Sequence, residues 1–382
     1  MSGAAAERRV AGACVDCLRR SWLLAALGGP LDYHCRDRAR LTDALALGDQ
    51  QLMRALAGRR RSQLQAQYAA FAAADLLPGD GRVEDICHHD DRFPRRLRFP
   101  SAPRALYVAT SARRLHELAR GPVVAIAGSV RASDYGMETA RSLARGLAAA
   151  DVTVACGLED GIAVAALAGA LEADGAVVCA MPGGVDVIAP ARRRSLYQRL
   201  TRRGCAAAEL PCGTPARRWG QAASQRAIVG LAQLTVLVEA QDNPRELAPA
   251  RLASTLGRAV AAVPGRVTSP LSAGTNALLA QGAHLLRGPA DALELLPAGG
   301  PYGSSRAGRP AARRLEPRLQ RILDRVRAGA DSPDRLRHEA GDVGELLCAL
   351  TELELMGLLA RGDGGRYVPL DPQPVARRAS PP

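Results

Sequence analysis

Lysine is absent from this chain of 382 residues, so all 51 basic side chains are arginine. That absence excludes chemistry. A Walker-type phosphate loop needs a lysine on the β- and γ-phosphates, and ordinary pyridoxal-phosphate enzymes need a lysine amine for the Schiff base. Neither HExxH nor GxSxG occurs, which removes two common hydrolase signatures. Only three Phe are present among many Ala and Arg, the pattern of a GC-rich genome, so arginine at one position says little about a selected fork geometry. No adequate apolar run follows Arg8 and Arg9, and no uncharged apolar stretch reaches 18 residues, so neither signal peptide nor membrane span is expected. Of the nine Cys, Cys156, Cys179 and Cys205 sit in apolar, strand-like runs where a thiol acts as a small hydrophobe. A reducing cytoplasm without disulfides fits that placement.

What is present begins with charge. The formal net charge of +13 makes a field attractive to polyanions, nucleic acid foremost. The length allows two or three domains. Residues 1–85 read as a helical domain, with Leu41, Leu45, Leu47, Leu52, Leu56 and Leu64 at helical spacing and a basic turn at Arg59, Arg60 and Arg61. Residues 86–296 alternate buried-type strands with helical stretches. The strands fall at Val123–Ala127, Val152–Ala155, Ala176–Ala180, Ala206–Leu210, Leu234–Val238 and Ala259–Val263. Helical patterns fall at Gly136–Ala150, Ile162–Ala173, Arg192–Arg203 and Arg217–Leu231. Such alternation predicts an α/β fold, a Rossmann-like, doubly wound and mostly parallel sheet. Ligands of such sheets bind beyond the carboxyl ends of the strands, where Gly128, Gly157, Gly183, Gly184 and Gly265 fall.

Residues 297–312 read as a Gly/Pro/Ser/Arg linker, 313–372 as a winged-helix-like domain, and 373–382 as a disordered tail. The third unit shows helices at Leu315–Val326, Pro333–Ala340 and Val343–Leu355, then a hairpin of Leu358–Arg361 and Arg366–Leu370 around Asp363–Gly364. Its third helix would normally face DNA, yet Asp342–Leu355 carries Asp342, Glu345, Glu352 and Glu354 and no Arg. Protein contacts suit it better than phosphate.

The run VVAIAGSVRASDYGMETARSLARGLAAADVTVACG resembles the first two strands and intervening helix of the DprA/Smf family, the DNA-processing proteins A. The similarity continues through MPGGVDVIAP, AELPCGTP, SQRAIVGLA, VLVEA and VPGRVTSPLSAGTNALLAQGAHLL, and upstream through DDRFPRRLRFPSAPRALYVAT. It covers residues 85–290 well and the ends loosely. The resemblance implies a non-enzymatic protein that dimerises, binds single-stranded DNA and helps load a RecA-type recombinase during natural transformation. In that setting Gly turns and helix N-termini offer backbone N–H groups to phosphate.

The implied nucleic-acid site comprises Gly128, Ser129, Arg131, Gly157, Gly161, Gly183, Gly184, Gln225, Arg226, Arg251, Thr275 and Asn276. Tyr135, Gly136, Ile162, Asp186, Pro190, Glu239, Pro264, Gly265 and Gly274 also stand as the family has them. Other positions depart. Val130 replaces an expected Arg, with Arg131 beside it as a substitute. Asp160 replaces a basic or polar residue, Ala163 an Asp and Leu167 a His. The family's Arg-Asn-Arg triplet is Ser224, Gln225 and Arg226, and Pro244, Arg245 and Pro249 replace Ser, Gly and Thr. Glu159 and Asp160 thus put two negative charges on the expected phosphate path. Scaffold positions survive while binding groups are lost, which leaves two alternatives: a degenerate paralogue serving as a protein-interaction scaffold, or a nucleotide-ligand protein on the same fold.

No cofactor and no metal is expected. Cys14-x-x-Cys17 with His34 and Cys35 has four donor side chains, but adjacent His and Cys rarely reach one ion, and a buried helix face explains them. Whether Cys14 and Cys17 bind a metal stays open. Cys87-His88-His89 alone lacks a fourth ligand. The loop Gly128–Gly136 lacks GxGxxG spacing, so no dinucleotide is expected.

Overall fold

A computed structural model describes residues 12–34, 38–72, 83–296, 316–336, 343–355, 358–361 and 366–369. The chain divides into two compact units, Met1–Gly303 and Ser304–Pro382. The expected linker and the C-terminal tail lie outside the described residues.

Among the described residues the first unit opens with the α-helices α1 Val15–Ala26, α2 Gly28–His34, α3 Arg38–Ala46, α4 Asp49–Leu56 and α5 Arg61–Ala69. Their apolar faces close over Leu23, Leu24, Leu31, Leu41, Leu45, Leu52 and Leu64 together with Trp219, a residue from far along the chain. Arg20 is buried at their centre, donating to Asp49 Oδ1 at 2.7 Å and to the Leu45 carbonyl at 2.8 Å, while Tyr68 donates to Asp49 Oδ2 at 2.6 Å. The basic turn at Arg59–Arg61 is exposed, as a solvated or phosphate-facing turn must be.

The sheet follows. Its strands are β1 Glu84–Cys87, β2 Ala105–Val108, β3 Val123–Gly128, β4 Thr153–Cys156, β5 Val177–Gly184, β6 Cys205–Leu210, β7 Leu234–Val238, β8 Ala259–Ala262 and β9 His284–Leu285. Among the described residues they form one sheet in the order β1-β2-β6-β5-β4-β3-β7-β8-β9. From β6 to β9 all pairs are parallel, and β1 and β2 add an antiparallel margin. The helices between them are α6 Ala112–Arg120, α7 Asp134–Ala149, α8 Ile162–Glu172, α9 Arg194–Arg203, α10 Arg218–Leu231, α11 Ala248–Thr255, α12 Ala273–Ala280 and α13 Pro289–Glu294.

Side chains alternate between faces at period two. Val124, Ile126, Val154, Cys156, Val177 and Cys179 pack under α7, α8 and α9, whereas Val123, Ala125, Ala155, Val178 and Ala180 pack under α6 and α10. Both faces are therefore dry, and the six expected parallel strands all form. The doubly wound Rossmann-like sheet is present. Sequence periodicity did not mark β1, β2 and β9, which are short or antiparallel.

The second unit holds α14 Pro317–Arg327, α15 Pro333–Leu336, α16 Val343–Leu355, β10 Leu359–Arg361 and β11 Tyr367–Pro369, the last two antiparallel. It has its own core of Leu319, Ile322, Leu323, Leu336, Leu346, Leu350, Leu353 and Tyr367. Three helices followed by a two-stranded sheet is the order expected of a winged helix. Its tight turn at Asp363–Gly364 lies outside the described residues.

Candidate nucleic-acid interface

Strand β3 has β4 on one side and β7 on the other, so the chain reverses its direction of winding there. A crevice opens beyond the carboxyl ends at such a switch point. It is lined by Gly128, Val130, Gly157, Glu159, Asp160, Ala163, Gln221, Gln225, Arg245 and Glu246, among others. Thus Gly128, Gly157 and Gln225 of the expected set meet in one cleft.

Gly128 ends β3 where any Cβ would strike the Val238 carbonyl oxygen and, at 2.7 Å, Ile162 Cγ1. Gly161 caps α8 with φ +77°, and its own Cβ would run into the Ser129 carbonyl and Val130. Ser129 is buried between them. Its N–H donates to the Glu239 carbonyl at 2.7 Å, its carbonyl accepts from Ile162 N at 3.2 Å, and its Oγ accepts from Arg131 N at 3.1 Å. Ser129 therefore shapes the loop and holds Arg131 outward. Arg131 is exposed, and its guanidinium has no ion-pair partner among the described residues. Glu239 accepts from Ser133 N at 2.8 Å and from Ser133 Oγ at 2.5 Å, fixing the start of α7. An acidic group suits that end of the helix dipole. Tyr135, in the first turn of α7, is 59% exposed.

The two acids expected to repel phosphate are both compromised. Glu159 Oε1 is shut off from solvent with no hydrogen-bond partner. Burial pushes this carboxyl above its ordinary value of 4.5, favouring the protonated, neutral form. Asp160 is ionised but paired: Arg193 binds it, and Arg192 donates to both carboxylate oxygens at 3.1 Å. The two arginines hold its carboxyl below the usual range. The pairing of Asp160 with two arginines offsets part of the negative charge that the sequence alone implies for this cleft.

Glu159 carries a testable consequence. Because the folded chain holds this proton above the unfolded value, it binds more protons than the unfolded chain in that window, and stability falls as pH rises through it. Glu159→Gln is expected to raise stability more at pH 7.5 than at pH 4.5, measured by urea unfolding. An equal effect at both pH values would show that this carboxyl does not titrate between them.

The remaining expected residues are elsewhere or occupied. Arg226 is buried against Glu209, with which it forms an ion pair, and its side chain is 4% exposed. It is a structural cation rather than part of the open edge. Thr275 is fully buried and donates to the Ser272 carbonyl at 3.1 Å. Asn276 clamps Gly265, accepting from its N–H at 3.2 Å and donating to its carbonyl at 3.1 Å. Gly183 and Gly184 pack on the loop after β6, where Gly184 N donates to the Thr214 carbonyl at 2.8 Å. Arg251 is exposed on α11, whose Pro249 lines the cleft. Two side chains outside the expected set belong to the same region: Arg245 lines the cleft and Arg192 is held on Asp160. Arg245 reaches Gln221 Oε1 at 3.4 Å. Its substitution for a small family residue was visible in the sequence, but its reach into the cleft was not.

A Rossmann-like sheet with a glycine-walled cleft at its switch point, rimmed by arginines, defines the class. The model of the DNA recombination-mediator protein A family matches residues 84–297, and this chain belongs to that family. It is 32% identical to protein Smf of Escherichia coli K12 over 302 residues, 75% of this chain and 79% of that protein. It is 38% identical over 172 residues to a Mycobacterium tuberculosis chain provisionally named DNA processing protein DprA, a match spanning 45% of this chain and 44% of that relative. Among solved structures, DNA processing protein A of Streptococcus pneumoniae superposes with a TM-score of 0.58 at 23% identity, covering 74% of this chain and 96% of the other. That likeness establishes the fold.

Proposed function

We propose that this protein is a non-enzymatic mediator of DNA recombination that binds single-stranded DNA across the cleft beyond β3 and β4. The observation that carries the reading is the pairing of glycine backbone with cations there. Gly128 and Gly157 line the cleft together with Arg245, Arg192 is held on the lining residue Asp160, and Arg131 and Arg251 are exposed close in sequence to the lining residues Val130 and Pro249. Each arginine that meets a phosphate releases a counterion, and the exposed Tyr135 offers a ring on which a base stacks. Family membership implies the remaining parts of the proposal: a homodimer in the cytoplasm, working with a RecA-type recombinase in the uptake of transforming DNA. Among the described residues no helix is long and apolar enough to cross a membrane.

Titration with labelled oligo-dT and equal-length duplex at several salt concentrations tests this reading. Single strands are expected to bind more tightly, with log affinity falling linearly with log salt. Asp160→Asn is expected to strengthen binding and steepen the slope by about 0.7, because it frees Arg192 for one phosphate. Equal or tighter duplex binding, or none to either at low salt, overturns it. In that case the exposed Val130 and the buried Arg226 favour the scaffold reading.

The acidic α16, with Glu345, Glu352 and Glu354, repels phosphate, and Arg318 of α14 is already paired with Glu352 at 3.0 Å. Deletion of residues 310–382 is expected to leave oligo-dT affinity nearly unchanged. A large loss in the folded, truncated protein would assign DNA contacts to the arginines of α14.

A further inference from the structure

Two cysteine motifs read separately as incomplete lie side by side in the fold. Cys14 caps α1 and Cys17 stands in its first turn, while Cys87 ends β1 and His89 follows in the next turn. Their Sγ and Nδ1 atoms all lie within 4.8 Å of one another. His34 is not part of this group, and Cys35 lies outside the described residues.

The geometry is more demanding than a thiol cluster requires. Three sulfurs converge on one imidazole nitrogen: Nδ1 of His89 is 3.3 Å from Cys14, 3.6 Å from Cys17 and 3.8 Å from Cys87. A single ring nitrogen has one proton to give or one lone pair to offer, so it cannot bond three thiols. A central ion removes the difficulty. With Zn–S near 2.3 Å and Zn–N near 2.0–2.1 Å, a tetrahedron has edges of about 3.5 Å for S···N and about 3.8 Å for S···S.

The surroundings fit as well. The Cys14 N–H points at Cys87 Sγ at 3.4 Å, a donor suited to thiolate. Cys14 and Cys17 sit at a helix N-terminus, where the dipole favours negative sulfur. Nε2 of His89 lies 3.1 Å from Nε2 of His88. Coordination through Nδ1 puts the His89 proton on Nε2, from which it is donated to His88, the orienting bond that metal-bound histidines ordinarily make. Three of the ligands are buried, Cys14 at 7%, Cys17 at 2% and Cys87 at 2% exposure, and His89 forms the exposed lip.

We propose that Cys14, Cys17, Cys87 and His89 bind one zinc ion in a closed, structural site that fastens α1 to the outer strand β1. Three thiolates and one imidazole fill the tetrahedron, so no position remains for substrate. The site lies at the β1 margin of the sheet, five strands from β3, and none of its four residues lines the cleft. It ties together segments some seventy residues apart, which is why neither half is a recognisable motif by itself.

The test uses the full chain, produced without a polyhistidine tag and purified under reducing conditions without chelator. Plasma emission is expected to find about one zinc per chain. Stripping followed by Co²⁺ loading is expected to give thiolate-to-cobalt charge transfer and the visible bands of tetrahedral cobalt. Cys17→Ser and Cys87→Ser should lose the metal and melt earlier, whereas Cys212→Ser and Cys348→Ser should keep it. Because the buried variants can fail to fold, His89→Ala on the exposed lip provides the second arm: a folded chain whose zinc affinity falls by about tenfold or more. Zinc-free protein that gives no cobalt charge transfer overturns the proposal. So does a freshly reduced chain that re-forms a Cys14–Cys17 disulfide in preference to taking metal.

Discussion

Arg226→Ala is expected to destabilise the first unit by about 3–5 kcal/mol, because it strands the buried Glu209 carboxylate without its partner. Melting temperature should drop by on the order of 10 °C. The single-strand salt slope of the folded variant should stay where it was, since a guanidinium 4% exposed does not neutralise phosphate. Replacing both partners, Arg226→Met with Glu209→Leu, should recover most of the loss, as a well-packed apolar pair often replaces a buried ion pair without penalty. An unchanged melting temperature with a shallower slope would reverse the assignment and return Arg226 to the DNA edge.

Gly161→Ala has the second largest expected effect. At φ +77° an L side chain is strained, and the added methyl meets the Ser129 carbonyl and lies 2.9 Å from Val130 C and O. Strain and overpacking together should cost about 2–5 kcal/mol. The same displacement moves the loop that aims Arg131, so oligo-dT affinity should fall even at temperatures where the variant is folded. Thermal unfolding paired with binding at low temperature checks both. A variant that melts normally would show that the loop yields without cost. One that melts early but binds normally would detach the loop from DNA binding.

Burial on both faces made the parallel core legible. Val123–Gly128 carries no polar side chain and Leu234–Val238 only the buried Thr235, and strands of that kind belong to a sheet covered by helices on each side. Sequence could not show pairing between distant residues. Arg226 looked like a survivor of a binding triplet because Glu209 lies seventeen positions away on another element. Glu159 and Asp160 looked like a barrier to phosphate because burial of one and pairing of the other depend on the fold. The cysteines failed for the same reason: α1 and β1 are far apart in sequence. Residue type announced the glycine turns, whereas the state of each charge emerged only from its neighbours.

The two margins of the sheet set a limit on assembly. At one end β9 offers only His284 and Leu285, too few residues to template another chain's strand. At the other, β1 spans only Glu84–Cys87, and the thiol of Cys87 faces Cys14 and Cys17 of the first helix. Among the described residues, neither margin offers a long strand for a second copy's sheet to extend. For the homodimer proposed above, contacts made by side chains on outer helix faces and loops are therefore the first to test, by surface substitution with oligomeric state as the readout.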